Sequence, residues 1–402
     1  MMKVCGVIAE YNPFHNGHRH HLEEARRQTG ADIIIVVMSG NFLQRGEPAI
    51  VDKWVRAEAA LTYGADIVVE LPVDHCVQPA DHFAEAGVSI LAGLGCELIS
   101  FGSEAGEASS FTRAADLYLT HEEAINKELT ATYKQDMTYA QNFSRVMSRF
   151  FQDFPIDLLQ PNNILGFAYA KAIVRRNYPI NLHTIPRLKS HYHDQSLDKE
   201  GTVASATAIR RNLLEEKFSA ELASRYMPDL MTTYIKERPL VSWEAFFPLL
   251  NHQLIILPEE QLMETYLMET GLEYRLKNKI KEARSMQEFM ENMKTRQVSW
   301  TTLQRLCLHV LLGNKTVEMH KRMRSIEAVR LLGFNASGRR YISKAKKTFQ
   351  IELVSNVNKK TARMIEQDIL AGEVYRLADK NRIRHQDFYT SPLNLIDKQS
   401  PN

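Results

Sequence analysis

Along the first hundred residues, short apolar runs alternate with stretches of helical periodicity. The runs are Val4–Ala9, Ile33–Met38, Ile67–Glu70 and Leu98–Phe101. Between them, at about 17–29, 51–63 and 80–93, apolar residues recur every three or four positions. Continuous apolar strands separated by amphipathic helices predict a parallel sheet with right-handed crossovers. Gly30-Ala31-Asp32 and Gly64-Ala65-Asp66 each fall between a helix pattern and the next strand, where a glycine C-cap and an αβ turn belong.

Further along, residues 121–176 read as mostly helical, with interruptions at Pro155 and Pro161-Asn162-Asn163. Ile180–Ile185 resumes the strand pattern and ends at Pro186-Arg187. A polar loop, Lys189 to Asp194, leads to Ser205-Ala206-Thr207-Ala208-Ile209-Arg210-Arg211, a helix start with Ser205 as N-cap. Beyond about residue 220 the period is helical nearly throughout, with turns at Leu312-Gly313-Asn314 and Gly333-Phe334-Asn335. The expected fold is therefore α/β: a Rossmann-like parallel sheet domain over 1–220, then a mostly α-helical region over 221–402. Neither GxGxxG nor GxxxxGK[ST] occurs, so the common dinucleotide and P-loop fingerprints are excluded.

Composition adds little to the fold and more to the setting. The 402 residues, 44% of them hydrophobic, suffice for two or three domains. The start lacks a signal-peptide pattern, and no apolar run reaches the ~18 residues of a membrane span. Cys5, Cys76, Cys96 and Cys307 form no CxxC pair, which favours buried free thiols over disulfides or a zinc site. A soluble, cytoplasmic protein is expected.

The net charge of +2 hides an asymmetry. Residues 1–240 carry 24 basic and 30 acidic side chains; residues 241–402 carry 26 and 18. The last stretch, 301–402, holds 19 basic and 9 acidic residues, Arg322, Arg324 and Lys346 among them. Such an excess fits a surface for a polyanion, usually nucleic acid, or an ordinary solvated helical face.

The candidate chemistry lies where strands end. After the first run come Phe14-His15-Asn16-Gly17-His18, with a helix starting near Gly17. Two imidazoles three residues apart and the free amides of a helix start make an anion site, with a phosphate chain the obvious ligand. Imidazole donors there can stabilise charge as an α-phosphate is attacked. The alternatives are polar capping in a His-rich turn, or metal binding through His15, His18, His20 and His21. The loop Met38–Pro48 follows the second strand, where Asn41 and Arg45 are candidates for the second substrate. Asp52, Lys53 and Arg56 add polar groups nearby, and Phe101-Gly102-Ser103-Glu104 ends a further strand. Ser205, Thr207 and Arg210 are candidate phosphate contacts, unless Arg210-Arg211 is simply surface charge.

These residues carry a resemblance. Phe14 to His18 matches the [HT]xGH signature of the nucleotidylyltransferase superfamily, whose members attack ATP at the α-phosphate and release pyrophosphate. The wider set, Gly6 to His18, Ser39-Gly40-Asn41-Phe42, Phe101 to Glu104, Pro161-Asn162-Asn163 and Ser205 to Arg210, closely resembles the bacterial tRNA(Met) cytidine acetate ligases over nearly the whole chain. The resemblance implies activation of acetate by ATP to acetyl-adenylate. The acetyl group would then pass to N4 of the wobble cytidine of elongator tRNA(Met). His15 and His18 would be catalytic. Val7, Ile8, Ala9, Glu10, Tyr11, Asn12, Pro13, Phe14, His15, Asn16, Gly17, His18, Arg19 and His20 would bind ATP, joined by Gly102, Asn162 and Arg187. Mg²⁺ would accompany the triphosphate, held mostly by phosphate oxygens and water. Arg322, Arg324 and Lys346 would meet the tRNA. One departure is that Leu188-Lys189-Ser190-His191 stands where the family pattern has a glycine-containing turn. Rival readings are an adenylyltransferase for a small phosphorylated metabolite and a non-catalytic RNA-binding protein.

Overall fold

The computed structural model describes residues 2–104, 107–132, 139–151, 154–157, 160–186, 201–214, 220–295, 298–379 and 385–396. Its centre is a parallel sheet of β1 (Val4–Ala9), β2 (Ile33–Ser39), β3 (Ile67–Leu71), β4 (Leu98–Ser103) and β5 (Asn181–Pro186), in the order β5-β4-β1-β2-β3. The β2 sequence Ile-Ile-Ile-Val-Val-Met-Ser is buried at every position, as a strand covered on both faces requires. Alternate residues serve opposite layers. Ile33, Ile35, Val37 and Val69 pack with the helices Ala80–Gly93, Ala108–Thr120 and Pro161–Arg176. Cys5, Val7, Ile34 and Val36 pack with the helices Asn16–Thr29, Lys53–Thr62 and Ala206–Leu214. The first of these helices ends at Gly30, which takes the left-handed conformation at φ +63°.

Strand order reverses at β1, with β2 on one side and β4 on the other. The crevice beyond the carboxyl ends of β1 and β4 is thus the topological switch point, where open α/β sheets bind ligands.

Beyond residue 220 the chain is mostly helical, but it does not form a separate helical module. β6 (Ala328–Phe334) runs antiparallel to β3, and β7 (Glu352–Val354) and β8 (Leu393–Asn394) pair with β6. The turn expected at Gly333-Phe334-Asn335 is therefore corrected, since Gly333 and Phe334 are strand residues. A buried run of seven residues looks the same to periodicity whether helix or strand; here the free edge of β3 decides. Residues on both sides of 220 also share cores. Met227, Met231 and Leu332 share a core with β1 and β2, and Phe42 and Val73 share one with Phe246, Leu303 and Leu306.

A buried ionic clamp fastens the C-terminal segment to the sheet. Lys53 Nζ lies 2.7 Å from Glu70 Oε2 and 2.7 Å from Asp387 Oδ1, all three being buried. The four cysteines are buried free thiols. Among the described residues, no helix is long and apolar enough to cross a membrane.

Candidate active site

The site is built on the turn that leaves β1. Tyr11 takes a left-handed φ of 52°, and three hydrogen bonds hold the chain around it. Arg56 Nη1 donates to Glu10 O at 2.6 Å, Ile50 N donates to Asn12 Oδ1 at 2.9 Å, and Arg210 Nη1 donates to Asn12 O at 2.9 Å. Arg56 is wholly buried and also donates to Ser39 O and Gly40 O, tying the ends of β1 and β2 together.

Helix Asn16–Thr29 then begins with His15 as its N-cap. His15 Nδ1 accepts from Gly17 N at 3.0 Å, and His18 Nδ1 accepts from His15 N at 3.3 Å. This is a capping box made of imidazoles. A ring nitrogen that accepts an N–H carries no proton, so each ring is a neutral tautomer whose proton sits on Nε2. Gly17 is required here, because a Cβ at this position would stand 2.9 Å from His15 Cε1.

The turn opens on a cavity of about 490 Å³ at the switch point. Val7, Ile8, Ala9, Glu10, Tyr11, Asn12, His15, Gly17, His18 and His20 line it, and Gly102 and Asn162 face them. So do Arg45, Ser205, Thr207 and Arg210. Ser205 caps its helix by accepting from Ala208 N at 3.1 Å, so the starts of two helices lie on one cavity. Both favour negative charge. Asn162 donates through Nδ2 to Glu104 Oε1, joining the helix start at 161 to the end of β4.

Other expected contacts lie elsewhere. Phe14 is buried against Tyr11 and Tyr63, and Pro13 is not on the cavity wall. Asn16 Nδ2 donates to Thr202 O and Arg225 O, each at 2.9 Å, which is a tether rather than a cavity contact. Arg19 pairs with Glu23 at 2.7 Å on the exposed face. Asn41, a candidate for the second substrate, is buried; its Oδ1 accepts from Lys53 N at 2.9 Å and organises the next helix. Arg187 and the loop up to 194 lie outside the described residues. Arg324 and Lys346 are exposed, whereas Arg322 is half-buried and holds Asp74 at 2.6 Å.

Sequence reasoning missed Phe83, Leu165, Tyr169 and Val203 on the wall, and within the loop Met38–Pro48 it singled out Arg45 but not Leu43, Gln44 or Glu47. For Leu165 and Tyr169 no local signal exists, because only the crossing of the Pro161–Arg176 helix over β4 brings them to the cavity. Loop 43–47 is held from the helical region. Arg305 Nε donates to Gln44 O at 2.7 Å and Trp243 Nε1 to Gly46 O at 3.0 Å. Burial raises the Glu10 carboxyl above its ordinary range, an effect that its contact with Gln44 N and the nearby Arg45 and Arg210 only partly offset.

A model of the family described as HIGH Nucleotidyl Transferase matches residues 2–389. The tRNA(Met) cytidine acetate ligase of Geobacillus sp. is 39% identical, covering 98% of this chain and 100% of that protein. The enzyme of the same name from Bacillus subtilis is 38% identical, covering 95% and 94%. Among solved structures, apo TmcAL of Thermotoga maritima superposes with a TM-score of 0.89 at 30% identity, covering 98% of this chain and 99% of that one. The same protein bound with alpha-thio ATP superposes with a TM-score of 0.87. The imidazole capping box, the cavity at the switch point and these matches agree: the chain belongs to the HIGH nucleotidyl transferases and, among them, to the tRNA(Met) cytidine acetate ligases.

Proposed function

We propose that the protein is an ATP-dependent ligase that activates acetate as acetyl-adenylate and acetylates N4 of the wobble cytidine of elongator tRNA(Met). A carboxylate oxygen of acetate attacks the α-phosphorus of ATP, and pyrophosphate leaves with the electron pair of the broken P–O bond. The Nε2–H groups of His15 and His18 and the amides of two helix starts stabilise the charge that builds on the phosphoryl oxygens. The cytidine amine then attacks the acetyl carbonyl and AMP departs. No Ser or Cys nucleophile takes part. Mg²⁺ enters with ATP as part of the substrate, held mostly by phosphate oxygens and water. The basic surface beyond residue 220 supplies the grip on tRNA, with Arg324 and Lys346 among its exposed cations.

The observation that carries this reading is the pair of imidazoles locked as donors on the cavity wall. Its test is ATP–pyrophosphate exchange without tRNA. Exchange that depends on acetate, and is much weaker with butyrate, is the expected result. Exchange driven only by a phosphorylated metabolite would establish the simple adenylyltransferase instead. Binding of tRNA without any exchange would establish a non-catalytic RNA-binding protein.

A further inference from the structure

The second step releases a proton from the cytidine amine, and the cavity restricts what can receive it. His15 and His18 each commit Nδ1 to a backbone N–H, so their cavity-side nitrogens carry protons and act as donors. Among the described residues, two carboxylates line the cavity, Glu10 and Glu47. Glu47 Oε2 lies 3.5 Å from Arg210 Nη2 and is engaged in that ion pair. Glu10 differs. Its Oε1 accepts from Gln44 N at 2.8 Å, and its Oε2 accepts no hydrogen bond from any described residue.

We propose that Glu10 is the general base of acetyl transfer, a reading that rests on the ligase function above. The N4 lone pair forms the bond to the acetyl carbonyl carbon while the C–O bond to AMP breaks, its electron pair leaving on the AMP phosphate. The N4 proton passes to Glu10 Oε2 and from there to water. Burial makes this carboxylate a stronger base than an exposed one. The charged groups that bear on it are Arg45 and Glu47 from the loop after β2, Arg210 from the Ala206–Leu214 helix, and Arg305 from the Trp300–Leu312 helix. Arg56 lies behind it, and Tyr169 and Cys76 feel its charge. Two further imidazoles line the cavity. His21 Nε2 sits 3.5 Å from Ser100 Oγ, and His20 interacts with Glu24 on the next turn.

Glu10→Gln keeps an oxygen for the Gln44 N–H and removes the base. Two rates are measured in the full-length protein: acetate-dependent ATP–pyrophosphate exchange without tRNA, and single-turnover transfer from enzyme-bound acetyl-adenylate to tRNA(Met) between pH 5 and 9. In the variant, transfer should fall about a hundredfold further than exchange. The acidic limb of the transfer profile should also vanish. Parallel losses in both rates, or a retained acidic limb, would overturn the proposal. So would the same selective loss in His20→Ala or His21→Ala. Absence of acetate-dependent exchange in the wild-type protein would remove the ligase reading itself, and this proposal with it.

Discussion

The rings of His15 and His18 lie stacked, 3.7 Å between centroids and 25° between planes, and both accept backbone N–H groups of one helix turn. The pair is thereby a single rigid unit in which each ring holds the other's orientation. Catalytic donors of this kind cost no reorganisation when charge develops.

Removing either ring should therefore affect more than its own donor. His18→Ala is expected to lower acetate-dependent exchange by about a hundredfold to a thousandfold, the usual result of losing one oriented donor. His15→Ala should lose less activity and more stability, about 1 kcal/mol, because it deletes the N-cap. Exchange kinetics and urea unfolding of both variants check the two halves separately. Near-normal exchange by His18→Ala would remove the catalytic role.

Gly46 has φ +78°, and a Cβ there would stand 2.7 Å from Arg305 N, a backbone atom that cannot swing away. Gly46→Ala should destabilise the protein by about 1–3 kcal/mol and move Arg45, so KM for acetate or ATP should rise along with the loss of stability. Thermal melts and steady-state exchange measure both effects. Unchanged KM would mean that the helical region does not position this loop.

Lys53 is a fully buried cation between two buried carboxylates. Lys53→Met leaves Glu70 and Asp387 facing each other with only Arg330, whose Nε lies 3.9 Å from Asp387 Oδ1, as counter-charge, an imbalance expected to cost about 3–5 kcal/mol. Lys53→Met combined with Glu70→Gln and Asp387→Asn should recover much of that loss. A double- and triple-mutant series by urea denaturation tests this, and a loss that the carboxylate substitutions leave untouched would place the cost in packing instead.

His309 is buried, bonded through Nδ1 to Asn314 Nδ2, and burial lowers its pKa from 6.5 to about 3. A depressed native value means that the unfolded chain takes up the proton first. The stability this group contributes is full above pH 6.5 and declines by about 1.4 kcal/mol per pH unit as the pH falls toward 3. His75, lowered to about 4 by burial, acts in the same direction. His309→Gln should flatten the stability profile between pH 6.5 and 4, as chemical denaturation across that range would reveal. An identical slope in the variant would contradict the assignment.

Arg324 and Lys346 are exposed, whereas Arg322 is held by Asp74. Charge reversal at Arg324 and Lys346 should weaken tRNA binding and flatten its salt dependence, with exchange close to wild type. Arg322→Ala should chiefly lower stability, because it strands the buried Asp74. Filter binding at two salt concentrations separates these effects. Unchanged tRNA affinity in the double reversal would make that surface a solvated helical face.

The first five strands and the helices Asn16–Thr29, Lys53–Thr62 and Ala80–Gly93 follow from the sequence alone, because each is a local pattern; helix Ala108–Thr120 is not read from it. Val4–Ala9 is an apolar run too short for a helix, Gly30 supplies a left-handed C-cap, and Ser205 supplies an N-cap oxygen. His15, Gly17 and His18 were legible for the same reason: a capping box is made within one turn. What local pattern cannot carry is partnership between distant segments. Ala328–Phe334 became a strand only because β3 offered it a free edge, and so residues beyond 220 returned to the sheet. Asn41, Asn16 and Arg322 look like available polar groups in the sequence, yet Lys53 N, Thr202 O and Asp74 claim them, because a buried polar group must find a partner. Tyr169 and Leu165 reach the cavity only through the crossing of their helix over β4. The sequence decided the chemistry placed at the end of β1; the packing of segments hundreds of residues apart decided which other groups would face it.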